Sequence, residues 1–68
     1  MNKKDFIDVW NSITDKIKEI IIKGDLSIYA TNYILSDSGY TVTLLRGNKY
    51  VAYVPFKMIK RIRGVSEW

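Results

Sequence analysis

The amino-acid sequence predicts an α+β fold, in which one N-terminal amphipathic helix packs on a small antiparallel sheet of three to four strands. Apolar residues recur with a helical period up to residue 23 and alternate with a period of two after Gly24. Two short turn signals, Asp37-Ser38-Gly39 and Gly47-Asn48, divide the alternating part into strands. A chain of 68 residues has the size of one domain, residues 1–68.

Residues 3–23 are predicted to form the helix. At about 100° per residue, one stripe contains Phe6, Val9, Trp10, Ile13, Ile17, Ile20 and Ile21. Asn2 is the expected N-cap, and Gly24 is the residue expected to end the helix. We interpret the stripe as one wall of the core, because a small sheet needs a covering helix. A membrane surface or a partner helix is the alternative interpretation of the same stripe.

Four strands are predicted, at about residues 26–36, 40–46, 49–54 and 60–63. The first is rich in the β-branched and aromatic residue types that favour strands. Pro55 ends the third strand, and the residues that follow it up to Ile59 form a tight turn. A short fourth strand would allow the sheet to curl into a small barrel.

Turn lengths predict the register of the strands. A two-residue loop at Gly47-Asn48 sets Leu44 opposite Val51 and Val42 opposite Tyr53, and a three-residue loop at 37–39 sets Ile34 opposite Val42. These residues are predicted to face the helix.

The opposite face of the predicted sheet has no second helix to cover it. It collects Tyr29, Thr31, Tyr33, Leu35, Thr41, Thr43, Leu45, Tyr50, Ala52 and Val54. Four interpretations remain open: the interior of a barrel, a contact with another subunit, a platform on which tyrosines stack against bases, or strand surface that is simply exposed.

The net charge of +4 lies in the second part of the chain. Residues 29–68 contain six cations against Asp37 and Glu67, namely Arg46, Lys49, Lys57, Lys60, Arg61 and Arg63. The same stretch contains seven aromatic residues, namely Tyr29, Tyr33, Tyr40, Tyr50, Tyr53, Phe56 and Trp68. A one-sided basic field mixed with aromatic rings attracts and holds a polyanion.

The segment from Leu45 to Val54 resembles the second signature of Sm-like proteins. The resemblance is carried by an aliphatic residue, Arg46-Gly47, Asn48 and then an apolar strand. It implies an N-terminal helix followed by a strongly bent small β-barrel, assembly into rings, and stacking of Arg46 on a base of single-stranded RNA. The later pattern of Pro55-Phe56, Ile59 and Ile62 is similar to the strand, tight turn and strand that end many SH3-like barrels.

The basic run at residues 57–63 has two interpretations. Whether it is extended or helical, two or three of its charges reach solvent together and can meet phosphates. Alternatively, the same cations protect the last strand of the sheet against edge-to-edge aggregation.

Several functional classes are disfavoured by composition. The chain has no His and no Cys, so the usual general base, two common nucleophiles and the usual zinc ligands are missing. We therefore expect neither an enzyme nor a cofactor. No run of 18 apolar residues is present, so we expect no membrane span and a cytoplasmic location.

The sequence favours a non-catalytic module that binds nucleic acid, preferably RNA or a single strand, through a basic surface that bears tyrosines. The candidate binding residues are Tyr29, Tyr33, Arg46, Asn48, Lys49, Tyr50, Lys57, Lys60, Arg61 and Arg63. The alternative is a small protein-interaction module: a homo-oligomer, an adaptor, or an accessory inhibitor of a phage or mobile element that docks on a larger protein.

Overall fold

A computed structural model describes residues 1–66 and has the predicted α+β class. Glu67 and Trp68, counted above with the charged and aromatic residues, lie outside the described residues. The elements are α1 (Lys3–Ser12), β1 (Ile17–Ile22), β2 (Leu26–Ala30), β3 (Asn32–Leu35), β4 (Thr41–Arg46), β5 (Lys49–Pro55), the 3-10 helix η1 (Phe56–Met58) and β6 (Ile59–Val65). Within residues 1–66, no helix combines the length and the apolar character needed to cross a membrane.

The strands form two three-stranded antiparallel sheets, with strand orders β2-β1-β6 (sheet A) and β3-β4-β5 (sheet B). The first predicted strand, residues 26–36, is bent at Thr31 and contributes β2 to one sheet and β3 to the other. The Thr31 amide donates to the Leu45 carbonyl at 2.8 Å, and the Gly47 amide donates to Thr31 Oγ1 at 2.9 Å. Residues 1–66 form no closed barrel, so the suggestion of a barrel closed by the last strand was wrong.

The start of the helix is as predicted, but its end is not. Asn2 Oδ1 accepts the Asp5 amide at 2.8 Å, which confirms the N-cap. The helix ends at Ser12, and residues 17–22, predicted to be helical, form β1 instead. β1 is the central strand of sheet A and is buried on both faces. A strand buried on both faces reads as a continuous apolar run, which periodicity cannot distinguish from a helical stripe.

The helix covers the space between the two sheets. Phe6 is fully buried, and its ring centroid lies 5.3 Å from that of Phe56 and 5.1 Å from that of Tyr33. Trp10 contacts Tyr33 from the next turn of the helix, with centroids 4.9 Å apart. These edge-to-face pairs join α1 to β3 and η1. The predicted packing of a helix on a sheet is therefore confirmed.

The register between β3 and β4 differs from the predicted one by one residue. Leu35, rather than Ile34, lies opposite Val42, and the Ser36 amide donates to the Thr41 carbonyl at 3.2 Å. The loop therefore contains four residues, 37–40, instead of three. A shift of one residue turns a strand over. Tyr33 and Leu35 consequently pack against the core, and Ile34 faces outward.

A bulge changes the register between β4 and β5. Leu45 lies opposite Tyr50, but Leu44 lies opposite Ala52 because the register shifts between them. Val51 is the extra residue of this bulge. Beyond it, Ala52 and Val54 pack toward the core and Tyr53 faces outward, which reverses the predicted orientation of all three.

Candidate nucleic-acid interface

Glu19 lies at the centre of the outer face of sheet A, with Tyr29 of β2 and Arg63 of β6 directly opposite it on either side. Its Oε1 accepts from Arg63 Nε, and its Oε2 accepts from Ser27 Oγ at 2.6 Å and from the Tyr29 hydroxyl at 3.3 Å. The Glu19 side chain is only 6% exposed, whereas that of Arg63 is 68% exposed. The carboxylate thus lies beneath the arginine and holds it at the surface.

These contacts keep Glu19 ionised. The hydrogen bond from Ser27 and then that from Arg63 lower the pKa of the Glu19 carboxyl, although burial opposes the shift. A charged acceptor makes stronger hydrogen bonds than a neutral one. Tyr29 and Arg63 are therefore held on the outer face by a carboxylate whose lowered pKa favours the charged form.

Arg61 lies beside Arg63 on the same face of β6. It is opposite Ile21 in the β1–β6 ladder, just as Arg63 is opposite Glu19. Arg61 is exposed and forms no ion pair within residues 1–66. The two side chains therefore present neighbouring guanidinium groups to solvent.

Arg46 connects this face to the β4–β5 loop. Its Nε donates to the main-chain carbonyl of Tyr29 at 3.3 Å, and Arg46 is itself opposite Lys49 at the end of the β4–β5 ladder. Tyr50 follows and is 73% exposed. Asn48 lies in the loop between Arg46 and Lys49 and is also exposed. The loop is therefore held against the edge of sheet A.

Seven of the ten predicted residues thus form one connected region, linked by ladder positions and hydrogen bonds from the outer face of sheet A to the β4–β5 loop. We call it the basic–tyrosine band, and it consists of Tyr29, Arg46, Asn48, Lys49, Tyr50, Arg61 and Arg63. It offers positive charge, hydrogen-bond donors and phenol rings. In nucleic-acid-binding proteins generally, donors of this kind contact phosphates and exposed aromatic rings stack on unpaired bases.

Three predicted residues lie outside the band. Tyr33 is partly buried and packs edge-on against Phe6 and Trp10, so its ring is engaged with the core. Lys57 is in η1, at the opposite end of β5 from Lys49. The Lys60 ammonium is 2.8 Å from Asp25 Oδ1.

The Lys60–Asp25 pair favours the charged form of the acid. The hydrogen bond from Lys60 and then its charge lower the pKa of the Asp25 carboxyl. Lys60 is therefore engaged within the chain, at the turn between β1 and β2. Its expected role as a phosphate contact is weakened accordingly.

Two exposed tyrosines were missed by sequence reasoning. Tyr53 is 68% exposed on the outer face of sheet B, where its hydroxyl accepts from Thr41 Oγ1 at 3.0 Å. Tyr40 is 78% exposed in the β3–β4 loop. The bulge at Val51 carries no recognisable sequence signal, so the orientation of Tyr53 could not be found from the residues. Tyr40 could have been found, because a loop tyrosine beside glycine is usually exposed.

Comparisons with protein-family models, with curated proteins and with solved structures find no match for this chain. The resemblance to Sm-like proteins is therefore confined to the loop residues Arg46-Gly47-Asn48 and the strand after them. The interpretation of the band depends on its own geometry.

Proposed function

We propose that this protein is a non-catalytic module that binds single-stranded nucleic acid, preferably RNA, through the basic–tyrosine band. The observation that supports this most is the hydrogen bond from Arg46 to the Tyr29 carbonyl. It joins edge strand β2 of sheet A to the Lys49–Tyr50 end of sheet B, which supports treating the cations and rings as one connected region.

A single strand is favoured over a duplex because the band bears exposed rings. Tyr50 projects from the end of β5 beside the cationic loop. Bases in a duplex are stacked on each other, whereas those of single-stranded RNA are free to stack on aromatic side chains. Ring stacking tolerates any base, so we expect weak sequence preference.

The charges of the band limit its affinity. Glu19 already neutralises Arg63, so the phosphate contacts fall mainly to Lys49 and Arg61, which form no ion pair within residues 1–66, with Arg46 beside them. Each phosphate contact with a single strand contributes a slope of about −0.7 to the dependence of log K on log salt. Three such cations predict a total slope of about −2.

The test is fluorescence anisotropy with a labelled oligouridylate at several salt concentrations. Lys49→Ala and Arg61→Ala should each reduce the magnitude of the slope by about 0.7. Lys57→Ala is the matched control, because it removes one exposed lysine outside the band and should leave the slope unchanged. Absence of binding by the unaltered protein at low salt would contradict the proposal.

Self-association is the second candidate function, and one row of sheet B favours it. Ile34, Thr43 and Tyr53 are opposite each other across the three strands and face outward. Ile34 is 50% exposed and Tyr53 is 68% exposed, which leaves this row uncovered. Light scattering over a range of concentrations tests it. A dimer that Ile34→Glu dissociates would support this function, and a monomer throughout would exclude it.

A further inference from the structure

A groove of about 730 Å³ opens where the start of α1, the β3–β4 loop and η1 meet. This size is within the range of pockets that hold small ligands or inserted side chains. The lining residues are Met1, Asn2, Lys3, Lys4, Gly39, Tyr40, Pro55, Phe56 and Lys57. The groove is separated from the Lys49–Tyr50 part of the basic–tyrosine band by the length of β5, which is about 20 Å for seven residues.

The walls of the groove are held together before any ligand arrives. The Phe56 amide donates to the Tyr40 carbonyl at 2.9 Å, which joins η1 to the β3–β4 loop. Phe56 is buried against Phe6 of the helix. Asn2 caps the helix that forms the third wall. A preformed groove costs little ordering entropy when a partner binds.

The rim of the groove is positively charged. Three of the nine lining residues are lysines and none is acidic. A Cβ built on Gly39 would lie 3.9 Å from Lys3 Nζ, so the Lys3 side chain extends across the loop at the rim. The Lys4 ammonium is 3.2 Å from Asp8, whereas Lys3 and Lys57 form no ion pair within residues 1–66. Among the described residues the rim therefore carries two cations without an ion-pair partner, Lys3 from α1 and Lys57 from η1.

The shape and chemistry of the floor favour a peptide over a nucleotide. Met1, Pro55 and Phe56 provide aliphatic groups and a ring that is already packed, and Tyr40 is the single exposed ring among the lining residues. Nucleic-acid platforms use several exposed rings, one for each base. An apolar floor with charges at its rim instead suits one large apolar side chain flanked by opposite charges.

We infer that this groove is a docking site for an acidic segment of a partner protein. The segment inserts one large apolar side chain between Tyr40 and Pro55, and its carboxylates pair with Lys3 and Lys57. The site is independent of the nucleic-acid proposal, because none of its residues belongs to the basic–tyrosine band. The protein would thus carry two binding surfaces that share no residue.

The experiment uses a fluorescein-labelled hexapeptide, Asp-Glu-Leu-Phe-Asp-Glu, and measures anisotropy against the full chain at about 0.15 M salt, where exposed charges more than about 8 Å apart are largely screened from each other. Lys57→Glu should weaken peptide binding by about tenfold or more, since it replaces an attraction with a repulsion. Lys49→Glu is the matched control with the same change of charge at the other end of β5, and it should weaken binding by less than about twofold. Lys3→Glu is a second groove variant and should behave like Lys57→Glu.

A second peptide tests the apolar part of the site. Replacing Leu-Phe by Ala-Ala keeps the charge and should reduce affinity by about tenfold or more. Equal binding of both peptides would reduce the groove to a general attraction for anions and overturn the inference. If the first peptide does not bind, the inference is also overturned.

The nucleic-acid alternative is decided with the same variants. Oligouridylate should be unaffected by Lys57→Glu and weakened by Lys49→Glu. If oligouridylate competes with the peptide, and its affinity falls in Lys57→Glu but not in Lys49→Glu, the groove is a nucleic-acid site and the peptide inference fails. If oligouridylate does not bind at all while the peptide distinguishes Lys57→Glu from Lys49→Glu, only the nucleic-acid proposal fails.

Discussion

The guanidinium of Arg63 donates to the carboxylate of Glu19 across the β1–β6 ladder, and Glu19 is almost completely buried beneath it. The same carboxylate accepts from Ser27 and Tyr29 of β2. One anion therefore connects all three strands of sheet A on their outer face. Its loss should affect both the stability of the sheet and the orientation of the residues proposed to contact nucleic acid.

Glu19→Gln should destabilise the fold by about 1–3 kcal/mol, because a charged acceptor of three hydrogen bonds becomes a neutral amide. Chemical denaturation at neutral pH measures this. Asp25→Asn is the control, since it makes the same chemical change in the exposed pair with Lys60. Asn tolerates the positive φ at position 25 as Asp does, so the substitution adds no backbone strain. Equal effects of the two substitutions would show that the Glu19 cluster contributes no more than a surface pair.

The stability of the protein should decrease in acid. The pKa of Glu19 is lowered in the folded state, first by Ser27 and then by Arg63, so the unfolded chain binds a proton more readily than the folded one. The stabilisation is complete above the ordinary pKa of a glutamate, near 4.5, and is lost as the pH falls through the lowered value. Unfolding free energies measured between neutral and acidic pH should show this decline, and Glu19→Gln should reduce its steepness. An unchanged pH profile in that variant would contradict the assignment.

Tyr33 and Tyr50 should respond to substitution in opposite ways. Tyr33→Ala removes a ring that packs on Phe6 and Trp10, and should cost about 3 kcal/mol of stability. Tyr50→Ala should change stability by less than about 0.5 kcal/mol, because Tyr50 is exposed. It should instead weaken oligouridylate binding by about 1–3 kcal/mol if one base stacks there. Denaturation and anisotropy on both variants give the comparison, with Tyr40→Ala as an exposed tyrosine outside the band.

Gly64 should resist substitution although it lies within β6. A Cβ at this position would lie 2.8 Å from Asp15 Cγ and 2.9 Å from Ile13 Cγ2, in the connection between α1 and β1. Gly64→Ala should therefore destabilise the protein by about 1–3 kcal/mol. Gly64→Ala combined with Asp15→Ala removes one of the two overlaps and should recover part of the loss. If Gly64→Ala alone is neutral, the connection moves aside freely and does not pack as described.

Local interactions explain the parts of the fold that the sequence alone predicted. Asn2 caps the helix through a bond to Asp5, three residues away, and Gly47-Asn48 makes the tight β4–β5 turn. The strand segments around residues 41–55 and 59–65 follow from β-propensity and the turn residues between them. Most of the basic–tyrosine band could be predicted for the same reason, since Arg46, Asn48, Lys49 and Tyr50 are neighbours along the chain.

Tertiary structure decided whatever depends on partners distant in sequence. The segment Ile17–Ile22 became a strand because β2 and β6 pair with it on both sides, and no local signal distinguishes that from a helical stripe. The faces of Tyr33 and Tyr53 depend on one extra loop residue and one bulged residue, each of which reverses a strand. The pairing of Arg63 with Glu19, 44 residues apart, and the groove formed by three separate segments arise only when the sheets assemble. Residue types thus determined which local elements form, whereas cross-strand pairing determined which side chains reach solvent and which of them meet.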